Sequence, residues 1–199
     1  MVINQEQNER TIVNWMEAYV DHYAQYLREP VDTFAYRVNE AFPPIQIMGH
    51  DKVIAGCKVF STLGLLLYPN ASGVAEVICP VDEAYDQVPN LLADRLFHMI
   101  TRVDALPVQR GSAVNGIEEM APEFVEKYKK TAIYLTDPYG LPDGFAFVST
   151  GDDEGRMYLA IFITANEYDL LIEKGCDALE DEFEAKAVDP YDLKRHSCV

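Results

Sequence analysis

The stretch RMYLAIFITANEYDLLIEKG, residues 156–175, predicts a strand that runs directly into a helix. Residues 156–163 are almost continuously apolar over a length typical of a buried strand. Thr164 and Glu167 match a capping box, in which the threonine accepts a helical amide and the glutamate reaches back to the cap. Gly175 stands where a helix commonly ends on a left-handed residue.

Further strands are predicted immediately upstream of this stretch. Residues 145–150 and 156–163 favour a hairpin, because the intervening GDDEG (residues 151–155) suits the backbone of a tight turn. Residues 131–136 predict another strand. The segment DPYGLPDG, residues 137–144, is dense in turn residues and predicts a loop.

The N-terminal half begins with a predicted amphipathic helix over residues 5–28, which Pro30 prevents from continuing. Its expected apolar face is Ile12, Trp15, Met16, Tyr19, Val20, Tyr23, Tyr26 and Leu27. Strands are predicted over residues 33–39, 45–48, 58–68 and 74–79, with turn signals at Pro69-Asn70 and Ser72-Gly73.

Three more helices and one short strand complete the prediction. The helices are expected over residues 88–103, 118–130 and 177–186, and the strand within residues 108–117. The mixture predicts the α+β class, with a mixed, largely antiparallel sheet packed with helices. Residues 1–30 are expected to form an N-terminal helix and residues 31–199 the main domain, together as one compact unit.

The 199 residues include 33 Asp and Glu against 16 Lys and Arg, which gives a net charge of −17. Phosphate and anionic lipid contacts need clustered cations, so nucleic acid and membrane partners are not expected. The charge permits a basic protein partner, although it also fits a purely solubilising role. The four cysteines form no Cys-x-x-Cys pair and the N-terminus lacks the apolar core of a signal peptide, so a cytoplasmic protein is expected.

Local spacing predicts no catalytic, metal or cofactor site. There is no phosphate-binding or dinucleotide-binding glycine motif, and Ser61 lies outside a Gly-x-Ser-x-Gly elbow. No zinc ligand spacing occurs. An enzyme that uses Cys57 with His50 or His98 is the least favoured alternative.

The order of several segments resembles the Suppressor of fused domain family. The resemblance covers residues 34–197. Within the family the chain resembles the compact single-domain bacterial type, so a Suppressor of fused-like fold is expected. The matching segments are VFSTLGL (59–65), residues 92–111, IYLTDP (133–138), YLAIFIT (158–164) continuing to Gly175, and DPYDLKRHS (189–197).

This resemblance implies a non-enzymatic binding domain without a cofactor. The animal member sequesters zinc-finger transcription factors and clamps a short peptide as an added β-strand. The compact bacterial members are proposed as immunity proteins that neutralise polymorphic toxins. We therefore expect an immunity protein that masks a basic toxin domain, with a regulator that binds a short linear peptide by β-strand addition as the alternative.

The resemblance also indicates candidate contact residues. The tyrosine and aspartate of the animal clamp fall at Leu96 and Ser112, which both depart from that pattern. A strand over residues 108–114 would still accept a partner strand through its backbone, unless it is already paired inside the domain. The acidic residues 177–184 and the loop 137–145 are further candidates. The expected partner-binding residues are Leu96, Ser112, Val114, Asp137, Tyr139 and Phe145.

Overall fold

The computed structural model describes residues 5–40, 42–68, 74–82, 85–101 and 105–199, and gives only the backbone of residues 5–10. The predicted turn signals at Pro69-Asn70 and Ser72-Gly73, and the predicted helical residue Val103, lie outside these ranges. In the described parts of the chain, no helix is both long and apolar enough to cross a membrane.

Helices and strands alternate irregularly along the described chain. The helices are α1 (Gln5–Tyr26), α2 (Val88–Thr101), α3 (Ile117–Met120), α4 (Pro122–Tyr128), α5 (Ala165–Lys174) and α6 (Cys176–Ala185). The strands are β1 (Asp32–Tyr36), β2 (Ile45–Asp51), β3 (Lys58–Leu63), β4 (Ala75–Val81), β5 (Ala113–Asn115), β6 (Lys130–Thr136), β7 (Phe147–Thr150) and β8 (Asp153–Thr164).

The strands form one sheet in the order β1-β2-β3-β4-β8-β6-β5, and β7 pairs with the first part of β8. The β4–β8 pair is parallel, with Ala75 opposite Arg156. The other described pairs are antiparallel. The predicted mixed, largely antiparallel sheet packed with helices is therefore confirmed. β1 and β5 lie at the two ends of the strand order.

Both faces of the central strands are buried, and alternate residues of these strands point to opposite sides of the sheet. On β6, Ile133 and Leu135 join the core beneath α2 and α4, whereas Ala132 and Tyr134 join the core beneath α1, α5 and α6. The same alternation holds on β8, where Phe162 faces the first core. The central strands are consequently apolar on both faces.

Helix α1 packs on the sheet through residues spaced by four. Trp15, Tyr19, Tyr23 and Leu27 are buried, but Val20, which periodicity places on the apolar face, is exposed. A helix that covers one face of a sheet needs only this narrow stripe. The Tyr19 hydroxyl donates to the carbonyls of Val74 (3.1 Å) and Arg156 (3.0 Å) and so links the helix to β8. The division into residues 1–30 and 31–199 stays a prediction.

The structure divides two of the predicted elements. The strand predicted to continue to Tyr68 stops at Leu63, because Gly64 adopts a φ of 117° and the chain turns into a 3-10 helix, Leu65–Leu67. The helix predicted over residues 118–130 is divided into α3 and α4. Pro122 begins α4, as its missing amide suits a first helical position, and Lys129 ends it in the left-handed conformation.

The strand-to-helix stretch folds as predicted. Thr164 Oγ1 accepts the amide of Glu167, and Glu167 Oε2 accepts the amide of Thr164 at 2.8 Å, which completes the capping box. Gly175, with a φ of 88°, ends α5 and lets α6 start at the next residue. The acidic helix α6 is thereby placed against the end of β6.

Candidate protein-binding site

A groove of about 520 Å³ lies between the end of β6, the loop that follows it and helix α6. Its floor is largely apolar, and its rim carries carboxylates. The groove brings together two regions that the sequence indicates separately, the loop 137–145 and the acidic residues 177–184. It is lined by Arg110, Thr136, Asp137, Pro138, Tyr139, Glu180, Phe183, Glu184, Ala187 and Val188.

Helix α6 presents its acidic side to the groove because its apolar residues are spaced by four. Leu179 and Phe183 are buried in the core shared with α1. Glu180 and Glu184 follow these residues by one position and line the groove. One helix therefore supplies both the packing that fixes its position and the negative charge of the site.

The Glu180 carboxylate joins α6 to the sheet. It accepts hydrogen bonds from the hydroxyls of Tyr134 and Thr136, each at 2.5 Å, and it forms an ion pair with Arg110. Burial raises the pKa of this carboxyl, but the hydrogen bonds from Arg110, Thr136 and Tyr134 outweigh burial and leave the pKa below its usual value. Glu180 is therefore negatively charged at neutral pH.

The loop after β6 supplies an exposed aromatic ring beside the acidic rim. Tyr139 is 44% exposed and stacks on Tyr191, with ring centroids 6.3 Å apart and planes 12° from parallel. Asp137 is half exposed and pairs with Arg156 at 3.1 Å. An aromatic face next to carboxylates suits an apolar segment that carries basic side chains.

Helix α6 ends at the groove in a strained turn. The amide of Val188 donates to Phe183 O at 2.9 Å and that of Ala187 to Glu184 O at 3.0 Å, which is the pattern of a Schellman motif. Ala187 has a φ of 49°, a conformation that costs a residue with a Cβ about 1 kcal/mol.

We expect Ala187→Gly to raise the free energy of unfolding by about 1 kcal/mol, because glycine adopts this conformation without strain. Urea denaturation measures the effect. Ala185→Gly, two residues earlier inside α6, is the matched control and is expected to lower stability by about 1 kcal/mol. Equal losses in both variants would contradict the strain at Ala187.

Strand β5 is a second candidate surface, at one end of the strand order. Gly111 and Ser112 together lie opposite Leu135 in a β-bulge, in which Gly111 has a φ of 92°. The amide of Gly111 donates to Leu135 O at 2.9 Å, and the amide of Leu135 donates to Ser112 O at 2.8 Å. The strand is shorter than the predicted 108–114 and is paired with β6 on one side. On the other side, Arg95 Nη1 donates to Asn115 O at 2.7 Å.

The structure divides the sequence-predicted site residues into three groups. Leu96 (0% exposed) and Phe145 (1% exposed) are buried in the two cores. Ser112 and Val114 are also buried, on or beside β5. Asp137 and Tyr139 lie together in the groove.

Sequence reasoning missed Arg110 and Val188 as groove residues. Arg110 lies in an irregular segment about 70 residues before its partners Asp177 and Glu180, and no local pattern connects them. The run of charge over residues 177–184 is the signal that indicated the α6 side of the site.

The residues considered for catalysis are not arranged as an activated nucleophile. Cys57 is half buried, and burial together with Asp189 and Asp82 raises the pKa of its thiol, whereas a reactive cysteine has a lowered pKa. The His50 ring bonds Ser61 Oγ at 2.9 Å, but both side chains are fully buried. Within the described residues, no group of three His, Cys, Asp or Glu side chains is placed to hold a metal ion.

Comparison with known proteins identifies the fold. The sequence model of the family described as Suppressor of fused protein (SUFU) matches residues 42–196. A SUFU homolog from Neisseria gonorrhoeae superposes with a TM-score of 0.72 at 17% identity, over 94% of this chain and 98% of that one. No curated protein sequence gave a significant match.

Two further structures share the same fold. One, described as a Sufu–Fu complex, gives a TM-score of 0.60 at 10% identity over 92% of this chain and 91% of that one. Suppressor of Fused from Drosophila gives 0.61 at 10% identity over 93% of this chain and 51% of that one, so this chain spans about half of it.

A mixed sheet between two helical layers, with this strand order, is the fold shared with these Suppressor of fused structures. The chain belongs to the Suppressor of fused family.

Proposed function

We propose that this chain is a non-enzymatic binding protein that masks a protein partner, and that the groove between α6 and the loop 137–139 contacts this partner. The observation that carries the proposal is the apolar groove with an exposed aromatic ring, Tyr139, and carboxylates at its rim. The related Sufu–Fu structure is itself a complex. Masking requires only that the bound chain cover the partner's working surface.

The chemistry of the groove favours a basic partner. The net charge of −17 attracts a cationic protein at long range, and Asp137 and Glu184 provide local complementarity. A basic toxin domain has these properties, so we assign the chain the role of an immunity protein that neutralises a toxin by steric occlusion. The toxin's active surface would be covered rather than chemically altered.

The affinity of such a complex is expected to fall at least about tenfold between 50 and 500 mM NaCl, because salt screens charges that are not buried. Isothermal titration with the purified partner measures this dependence. A salt-insensitive affinity would overturn the electrostatic part of the proposal. Restored growth of toxin-expressing cells tests neutralisation itself.

A second candidate function is the binding of a short linear peptide by strand addition. It is favoured by the position of β5 at the end of the strand order, where one side of the strand pairs with no strand among the described residues. A peptide array would identify a tight linear motif. N-methylation at alternate peptide positions is then expected to abolish binding, because it removes the donors that pair with a strand edge. Binding that survives N-methylation would contradict strand addition.

We assign the protein to the cytoplasm. The four cysteines, Cys57, Cys79, Cys176 and Cys198, are all free thiols in the structure. Free, partly buried thiols suit a reducing compartment. A thiol-reactive label applied to intact and lysed cells tests this location.

A further inference from the structure

A second cavity, of about 550 Å³, lies between the end of α4, the start of α5 and the C-terminal residues 194–197. It shares no lining residue with the groove. The lining residues are Val125, Lys127, Tyr128, Lys129, Thr131, Thr164, Ala165, Asn166, Lys194, Arg195, His196 and Ser197.

The charge of this cavity is opposite to that of the whole chain. The chain has 33 Asp and Glu and only 16 Lys and Arg, yet four of these cations, Lys127, Lys129, Lys194 and Arg195, line the cavity. Among the described residues that line it there is no Asp or Glu. A local concentration of positive charge in so acidic a chain is not explained by solubility.

Buried neighbours fix the positions of the lysines on the α4 side of the cavity. Lys127 Nζ donates to the hydroxyl of Tyr128 at 2.7 Å and lies 4.6 Å from the centre of its ring, and Tyr128 itself is buried in the core. Lys129 ends α4 in the left-handed conformation, and Lys130 begins β6 directly after it. The backbone at these lysines is therefore fixed by the fold.

The opposite wall is anchored by a buried ion pair. Arg195 Nη1 contacts Glu167 Oε1 at 2.5 Å, and Lys130 Nζ donates to Arg195 O at 2.8 Å. Lys194 lies next to this anchor. Burial and the nearby Arg195 lower the pKa of Lys130 to about 8.

The start of α5 adds positive helix-dipole potential to the cavity, but the capping box of Thr164 and Glu167 already occupies this end of the helix. The inference therefore rests on the lysines and on the shape of the cavity, which has the size of a small-molecule site. Lysine ammonium groups bind phosphate as point charges. Val125 and the ring of Tyr128 supply an apolar wall for an organic group.

We propose that this cavity binds a small molecule that carries a phosphate group. The phosphate contacts the ammonium groups of Lys127, Lys129 and Lys194, and His196 lies at the same opening. The site is separate from the groove, so the proposal does not depend on the masking function.

Isothermal titration with inorganic phosphate, pyrophosphate, inorganic triphosphate and ATP tests the proposal. Pyrophosphate is expected to bind with a dissociation constant of about 1 mM or tighter at low salt, a range typical of weak specific ligands. Equal affinities for ATP and inorganic triphosphate, which carry the same number of phosphates, would assign recognition to phosphate alone. Tighter binding of ATP than of inorganic triphosphate would add the apolar wall to the recognition.

The variant Lys129→Gln/Lys194→Gln is expected to weaken pyrophosphate binding at least about tenfold. Lys52→Gln/Lys174→Gln makes the same charge change at exposed positions outside the cavity and is expected to leave the affinity unchanged. Circular dichroism verifies that both variants fold. Equal losses in the two variants would overturn the proposal, as would an absence of binding by all four phosphates up to about 10 mM. Binding of poly-glutamate without binding of any phosphate would also overturn it.

Discussion

Glu76→Ala is expected to lower the free energy of unfolding by about 3 kcal/mol at pH 5.5, because it leaves buried donors without an acceptor. The Glu76 carboxyl, fully buried on β4, accepts the hydroxyl of Thr62 at 2.6 Å and the amides of Gly64 at 2.7 Å and Leu66 at 3.4 Å. These bonds hold the turn at which β3 ends. Urea denaturation measures the loss.

Glu76→Gln is the matched control, since it keeps the volume and one carbonyl acceptor. It is expected to stay within about 1 kcal/mol of the wild type at pH 5.5, because an amide can still accept the two backbone donors. A loss equal to that of Glu76→Ala would contradict the role of hydrogen-bond acceptance at this position.

The pH dependence gives an independent test of Glu76. Burial raises the pKa of this carboxyl from 4.5 to about 7, although the hydrogen bonds from Thr62, Gly64 and Leu66 partly oppose burial. A raised folded-state pKa contributes stability that is complete below pH 4.5 and is lost as the pH rises through 7. Between pH 4.5 and 8 the wild type is expected to lose about 3 kcal/mol relative to Glu76→Gln. Parallel curves for the two proteins would contradict this prediction.

Arg195→Ala is expected to lower the free energy of unfolding by about 4 kcal/mol, because it leaves the buried Glu167 carboxylate without its cation. The side chains of Arg195 and Glu167 are 7% and 0% exposed and contact each other at 2.5 Å. Arg195 Nη2 also donates to Phe162 O at 3.2 Å, so the pair fixes the C-terminal residues to β8. Urea denaturation at pH 7 measures the loss.

Arg156→Ala provides the comparison for a partly exposed pair. The side chains of Arg156 and Asp137 are 33% and 49% exposed, and such a partly exposed pair contributes about 1 kcal/mol or less. Burial raises the pKa of Glu167, but the hydrogen bond and charge of Arg195 outweigh it and lower the pKa to about 2. The stability that the Arg195–Glu167 pair contributes is therefore present above pH 4.5 and is lost as the pH falls through 2. Equal losses for Arg195→Ala and Arg156→Ala would contradict the role of burial.

Local signals in the sequence predict local structure well. The capping box of Thr164 and Glu167 and the helix stop at Gly175 depend on residues within one helix, and the structure confirms both. The end of β3 was predicted too late, because Glu76 from the next strand fixes the turn at Gly64. That interaction joins residues 12 apart in sequence and leaves no periodic pattern.

The candidate sites depend still more on tertiary structure. Tyr139 and Glu184 line the same groove because β6 and α6 are neighbours in the fold. Spacing along the chain does not predict that these two elements are neighbours. The same holds for Lys129 and Lys194 in the basic cavity. Leu96 and Phe145 are predicted as partner-binding residues from the resemblance and from the loop, whereas their burial is decided by the layers that cover them.

Capture of the tagged protein from its native host, in wild-type and variant forms, tests the masking function most directly. Tyr139→Ser/Glu184→Lys alters the groove, whereas Phe147→Ser/Glu154→Lys also replaces an exposed aromatic residue by serine and a glutamate by lysine, but on the β7–β8 hairpin. Quantitative mass spectrometry measures the proteins bound to each form at low and high salt. We expect one stoichiometric basic protein to bind the wild type and the hairpin variant at low salt. The groove variant is expected to lose this protein, and high salt is expected to release it from all forms. The same partner retained by the groove variant, or no stoichiometric protein on the wild type, would contradict the proposed function.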